Sequence, residues 1–97
     1  QMIWFSNLPR KAEIRIFTLA GDLVDILDHD QKYQGGDVYN IDEYKAPQLS
    51  GGEHAWDLIT RDDQAIASGL YLFTVKNLDN ESLSYGKIKE GKFLIIK

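Results

Sequence analysis

Ala12-Glu13-Ile14-Arg15-Ile16-Phe17-Thr18-Leu19-Ala20-Gly21-Asp22-Leu23-Val24-Asp25-Ile26-Leu27 is the stretch whose reading decides the fold. In an extended chain, Ile14 and Ile16 fall on one face, and Glu13, Arg15 and Phe17 on the other. That is the period of 2 of a half-buried strand. Ala20-Gly21-Asp22 is a turn signal, and Leu-Val-Asp-Ile-Leu at 23–27 resumes the strand pattern. So short a connection returns the chain antiparallel, which predicts a hairpin.

The same pattern continues outward. Residues 2–6 are short, apolar and aromatic, and Asn7-Leu8-Pro9 breaks them, because proline cannot donate to a ladder. Residues 53–59 read as a strand with His54, Trp56 and Leu58 on one parity, followed by a turn at 61–64. Ile66-Ala67-Ser68-Gly69 leads into Leu70-Tyr71-Leu72-Phe73-Thr74-Val75-Lys76, the strongest strand signal in the chain. Residues 77–90 read as a polar, glycine-containing hairpin loop whose base has room for ladder pairs, and residues 92–97 as a closing strand. The segment 28–53 is polar and carries Gly35-Gly36-Asp37, Pro47 and Ser50-Gly51-Gly52. A structureless loop of that length is unusual in a compact domain, so a short strand or packed excursion is expected near 37–44. No window shows a 3.6-residue period. Short strands with turns between them predict an all-β fold, an antiparallel Ig-like or fibronectin III-like β-sandwich of about seven strands, as one domain over residues 1–97.

Composition narrows the function. The chain has 97 residues, of which 43% are apolar, too many for a disordered segment. Fifteen acidic residues outnumber 11 basic ones, giving a formal charge of -4, and no basic run occurs. Nucleic acid is therefore not the expected partner, since neutralising phosphates takes clustered Lys and Arg. No apolar run is long enough to span a bilayer, so no membrane insertion is expected. The absence of cysteine removes a disulfide framework, a thiolate zinc site and a thiol nucleophile. Gln1 precedes Met2, which reads as a cut within, or a processed terminus of, a longer protein, and no signal-peptide pattern follows it.

The reactive side chains are sparse. Asp28-His29-Asp30 has part of a calcium-loop spacing but lacks the glycine that bends such a loop. His29 and His54 stand far apart in sequence without a third ligand at zinc spacing, and are expected at a surface or interface. Ser68-Gly69 lacks the G-x-S-x-G frame of a nucleophile elbow and reads as a tight bend before a strand. No catalytic, metal or cofactor residue is therefore expected, and the chain is not read as an enzyme. Trp56 is expected in the core and Trp4 half exposed. Tyr33, Tyr39 and Tyr44 are candidate contact residues in the long excursion; packing on the core rim is the alternative, and exposed tyrosines of this kind can also bind sugars.

Four blocks together resemble a known family. Ile14-Arg15-Ile16-Phe17-Thr18-Leu19-Ala20-Gly21-Asp22-Leu23-Val24 looks like the motif I-x-I-aromatic-x-L-x-G-x-x-V. Trp56-Asp57 looks like the Trp-Asp after the variable loop. Ile66-Ala67-Ser68-Gly69-Leu70-Tyr71 resembles an A-S-G-hydrophobic-Tyr block, and Gly91-Lys92-Phe93-Leu94-Ile95-Ile96-Lys97 a terminal G-K-hydrophobic-K strand. In this order they are similar to the Ig-like domains of flagellar hook-capping proteins (FlgD-like) and to the C-terminal (type A) sorting domains of the type IX secretion system. The segments 28–53 and 77–90 are longer than the family's usual loops.

The resemblance implies a non-catalytic C-terminal Ig-like module of a larger secreted or cell-surface bacterial protein, serving in secretion, sorting or surface attachment. Gly21, Trp56, Gly69 and Tyr71 would be its structural motif positions. By their charge and place, Lys92 and Lys97, flanking the closing strand, read as recognition charges, as edge gatekeepers, or as charges that merely keep the strand end soluble. Its partners would be proteins: secretion machinery, or neighbouring domains and subunits. Two other readings stay open, a structural subunit self-associating through edge strands, and a carbohydrate-binding accessory domain using the loop tyrosines.

Overall fold

The computed structural model describes residues 3–32, 52–58 and 66–96. Among them are six strands and no helix: β1 (Ile3–Phe5), β2 (Lys11–Thr18), β3 (Leu23–Asp30), β4 (His54–Trp56), β5 (Gly69–Asn77) and β6 (Ile88–Ile95). They form two sheets, one of four strands in the order β3-β2-β5-β6 and one of two, β1-β4. Every pairing is antiparallel. The all-β expectation holds. The excursion near 37–44 lies outside the described residues.

The β2–β3 hairpin forms where the alternation places it. Gly21 holds a φ of 96° that a side chain would resist, and its N–H donates to the Thr18 carbonyl at 2.9 Å. The Thr18 hydroxyl also accepts from the Asp22 N–H at 3.1 Å. A bulge between Ile16 and Phe17 sets Ile16 opposite Asp25 and Phe17 opposite Leu23, so Val24 is the extra residue. Ile14 and Ile16 are fully buried on the inner face.

Three boundaries differ from the sequence reading. β3 runs on to Asp30, because Asp28 and Asp30 continue the outward parity and His29 takes an inward core slot. β4 is only three residues long, because Leu58 adopts a left-handed φ of 66°, a conformation that no strand continues. β6 begins at Ile88, pairing Lys76 with Ile88 and Val75 with Lys89, so the final loop shrinks to residues 78–87. The polar edge of β6 has a loop-like composition, and only its partner strand makes it extended. Lys92 consequently sits within the strand and does not flank it.

The inner faces of the two sheets close on one apolar cluster. Phe5 and Trp56 from the small sheet meet Ile14, Ile16, Leu27, Tyr71 and Ile95 from the large one. Phe5 meets Phe73 and Phe93 edge-on, at centroid distances of 5.1 and 6.2 Å, the geometry that the ring quadrupoles favour.

Candidate functional site

Polar bonds tie the two layers at two points. Asp25 and His29 lie on the inner row of β3, four residues apart. The Trp56 indole Nε1–H donates to Asp25 Oδ2 at 3.0 Å, and Asp25 Oδ1 accepts from the Ile26 N–H at 2.8 Å. One strand position along, the Nδ1 atoms of His29 and His54 are 3.1 Å apart. Both imidazoles are buried, at 3% and 0% exposure. One Nδ1 must carry a proton and the other accept it, so the two rings hold complementary tautomers. The expectation of histidines at a surface or interface is thus corrected: both are buried between the sheets. The reason is topological: β3 and β4 are neighbours across the core although the chain separates them by 25 residues. Among the described residues, no group of three or more His, Cys, Asp or Glu side chains is placed to hold a metal. Such satisfied buried polar bonds define one alignment of the layers more sharply than apolar contacts do.

A second polar cluster pins the last hairpin. Arg10, in the connection before β2, donates from Nε to Asp79 Oδ2 and from Nη2 to Asp79 Oδ1, both at 3.0 Å, and from Nη2 to Glu81 Oε2 at 2.8 Å. The loop itself is built on Asn77, whose Oδ1 accepts from the Asp79 N–H at 2.8 Å and whose carbonyl accepts from the Gly86 N–H at 2.7 Å. The Arg10 hydrogen bond is the main cause holding the Asp79 carboxyl below its ordinary value of 3.8. A carboxyl whose pKa is lowered by folding adds stability above its unfolded value and loses it as pH falls through the folded one. The protection of the Gly86 amide, its exchange measured against the unstructured chain at the same pH, is therefore expected to fall below about pH 4 in the wild type. In Asp79→Asn that local acid step should be missing. Because the pair is solvent-exposed, the effect is confined to this loop.

The sequence-derived positions fall in separate places. Trp56 is in the core at 1% exposure, as expected. Gly21 shapes the first hairpin, and Gly69 opens β5 opposite Ile95. Tyr71 is buried, stacks on Phe93 at 6.0 Å, and donates its hydroxyl to the Ala67 carbonyl at 2.8 Å. Lys92 lies on the outer face opposite Leu72. Lys97, Tyr33, Tyr39 and Tyr44 lie outside the described residues. Trp4 is 41% exposed, as expected for a short edge strand.

Sequence reading missed a concave feature between the two sheets. Two hollows of about 730 and 270 Å³ share Ser6, Leu8, Phe73 and Val75, and so form one groove. It runs between β1 of the small sheet and the β5–β6 pair of the large one. Its apolar part is floored by Phe73, Val75 and Phe93 and walled by Ile3, Trp4 and Leu8. Its other part reaches Lys87 and Lys89. The signal in the sequence was the inward row 89, 91, 93 of β6, legible only once the strand is known to start at Ile88. Compared with family models, with curated proteins and with solved structures, the chain matches none of them.

Proposed function

We propose that this domain is a non-catalytic, Ig-like module of a secreted or cell-surface bacterial protein, read by protein machinery in secretion and sorting. The observation that carries this reading is where the four family-like blocks fall. The glycine block forms the β2–β3 turn, the Trp-Asp block supplies the central core side chain, the A-S-G-hydrophobic-Tyr block opens β5, and the G-K block lies in β6. Each block has a structural task at its own place, as expected of a resemblance that extends to the fold. Two further features support an Ig-like layout. The order β3-β2-β5-β6 is that of a C′-C-F-G sheet, with β1 and β4 in the places of B and E. The Tyr71 hydroxyl bond to the backbone four residues upstream has the form of a tyrosine corner.

The test is export of a passenger. A reporter protein fused ahead of the 97 residues is expected in the medium of a bacterium with a type IX secretion system, and in the periplasm when the domain is removed. Retention of both forms, or release of both, would refute the sorting role.

A second reading is favoured by a specific surface. β6 is paired on one side only among the described residues, and Leu70 and Leu94, opposite one another on the outer face, are both exposed. A free edge beside exposed leucines suits self-association. It requires concentration-dependent oligomers of the isolated chain.

A further inference from the structure

The four-stranded sheet is covered by a sheet of only two strands among the described residues, and the cover stops at β1. Beyond β1, among the described residues, only the rim of the groove stands over the inner face of β5 and β6. Phe73, Val75 and Phe93 form its floor, and Trp4 stands half exposed at its wall. β1 pairs with β4 along one edge, through Ile3↔Trp56 and Phe5↔His54, and its other edge borders the groove. Among the described residues no strand pairs with that other edge, and a strand edge beside an apolar floor offers the two elements that strand addition uses: ladder bonds for affinity and pockets for alternate side chains.

Charge selects the occupant. On β6, Lys89, Gly91 and Phe93 share one parity, with Lys89 opposite Val75 and Phe93 opposite Tyr71, so this row belongs to the groove side, and Lys87, just before the strand, lines the groove beside it. Glu90 also borders the groove but takes the opposite parity, opposite Thr74. The remaining cation at that end, Arg10, is already engaged by Asp79 and Glu81. Neither Lys87 nor Lys89 makes an ion pair among the described residues. One end of the groove is therefore apolar, and the other carries two ammonium groups that make no ion pair among the described residues, with Glu90 beside them.

We propose that this groove is a docking site for an extended peptide strand of a partner protein, about seven residues long, that adds to the edge of β1 left unpaired among the described residues. Its alternate apolar side chains cover Phe73, Val75 and Phe93, and its acidic end meets Lys87 and Lys89. Gly91, whose missing side chain lets the Phe73 ring lie over β6, keeps the floor flat. The proposal deepens the reading of the domain as a module recognised by protein machinery, and names the chemistry of the partner segment.

The experiment uses the 97-residue chain and fluorescein-labelled peptides of alternating valine and threonine. Two carry a pair of glutamates, at the amino or the carboxyl end, and two carry lysines in the same places. Fluorescence anisotropy is expected to show one glutamate peptide binding about five- to tenfold tighter than its lysine twin at low salt, the preference shrinking as salt is added. The variant K87E/K89E, which changes only exposed side chains, is expected to reverse the preference. Amide NMR shifts are expected at Ile3–Phe5. Equal binding of the acidic and basic peptides, an unchanged preference in the variant, or shifts confined to the outer face of the four-stranded sheet would overturn the proposal. So would sedimentation showing that a second copy of the chain occupies the groove. Export without peptide binding would remove this inference alone. Peptide binding without export would leave a docking module with no sorting role.

Discussion

Trp56→Ala is expected to lower the unfolding free energy by about 3–5 kcal/mol, the range for removing a buried aromatic side chain. The indole is 1% exposed, meets Phe93 edge-on at 6.0 Å and donates to Asp25. A domain of this size is stable by roughly 5–15 kcal/mol, so the loss is a large share of the total. Trp56→Phe separates the two contributions. It keeps most of the ring and removes the donor to a half-buried carboxylate, which is expected to cost about 1–3 kcal/mol. Urea unfolding followed by circular dichroism measures both, as a lower midpoint with an unchanged slope. A shift below about 1 kcal/mol for the alanine variant would mean that the core does not close around this residue.

Gly91→Val is the second large effect, and it acts through a residue on another strand. A Cβ at position 91 would lie 2.4 Å from Phe73 Cζ and 2.6 Å from Cε1. Phe73 and Gly91 are direct cross-strand partners, and the ring covers the bare backbone of its neighbour. To admit valine, the ring must leave its place and lose its contacts with Phe5 at 5.1 Å and Phe93 at 5.9 Å. Overpacking of this kind costs about 1–3 kcal/mol. The diagnostic result is the rescue: Phe73→Ala with Gly91→Val is expected to be more stable than the sum of the single changes, by about 1 kcal/mol or more. Strict additivity in the double-mutant cycle would show that the two positions do not meet.

The central hairpin was legible because its information is local. Alternation of Ile14 and Ile16 with Glu13 and Arg15 states which face is buried, and Gly21 states where the chain turns. The long run at 70–76 and the core position of Trp56 follow from the same period of 2. The end of β3 was not legible in that way, because His29 occupies a slot that a polar residue usually leaves empty. Nor was the start of β6, where Ile88, Lys89 and Glu90 become a strand through pairing with β5 and not through their own propensity.

By itself the sequence determined an all-β chain, the hairpin at its centre, the absence of thiol chemistry and an acidic surface without a basic stripe. Each of these depends on residue type or on spacings of a few positions. The tertiary structure alone decided that His29 meets His54, that Arg10 holds Asp79 across 69 positions, that Phe73 lies on Gly91, and that an apolar groove ends beside Lys87 and Lys89. Those are pairings between strands, and strand periodicity says which side a residue faces but not which distant residue it will meet there.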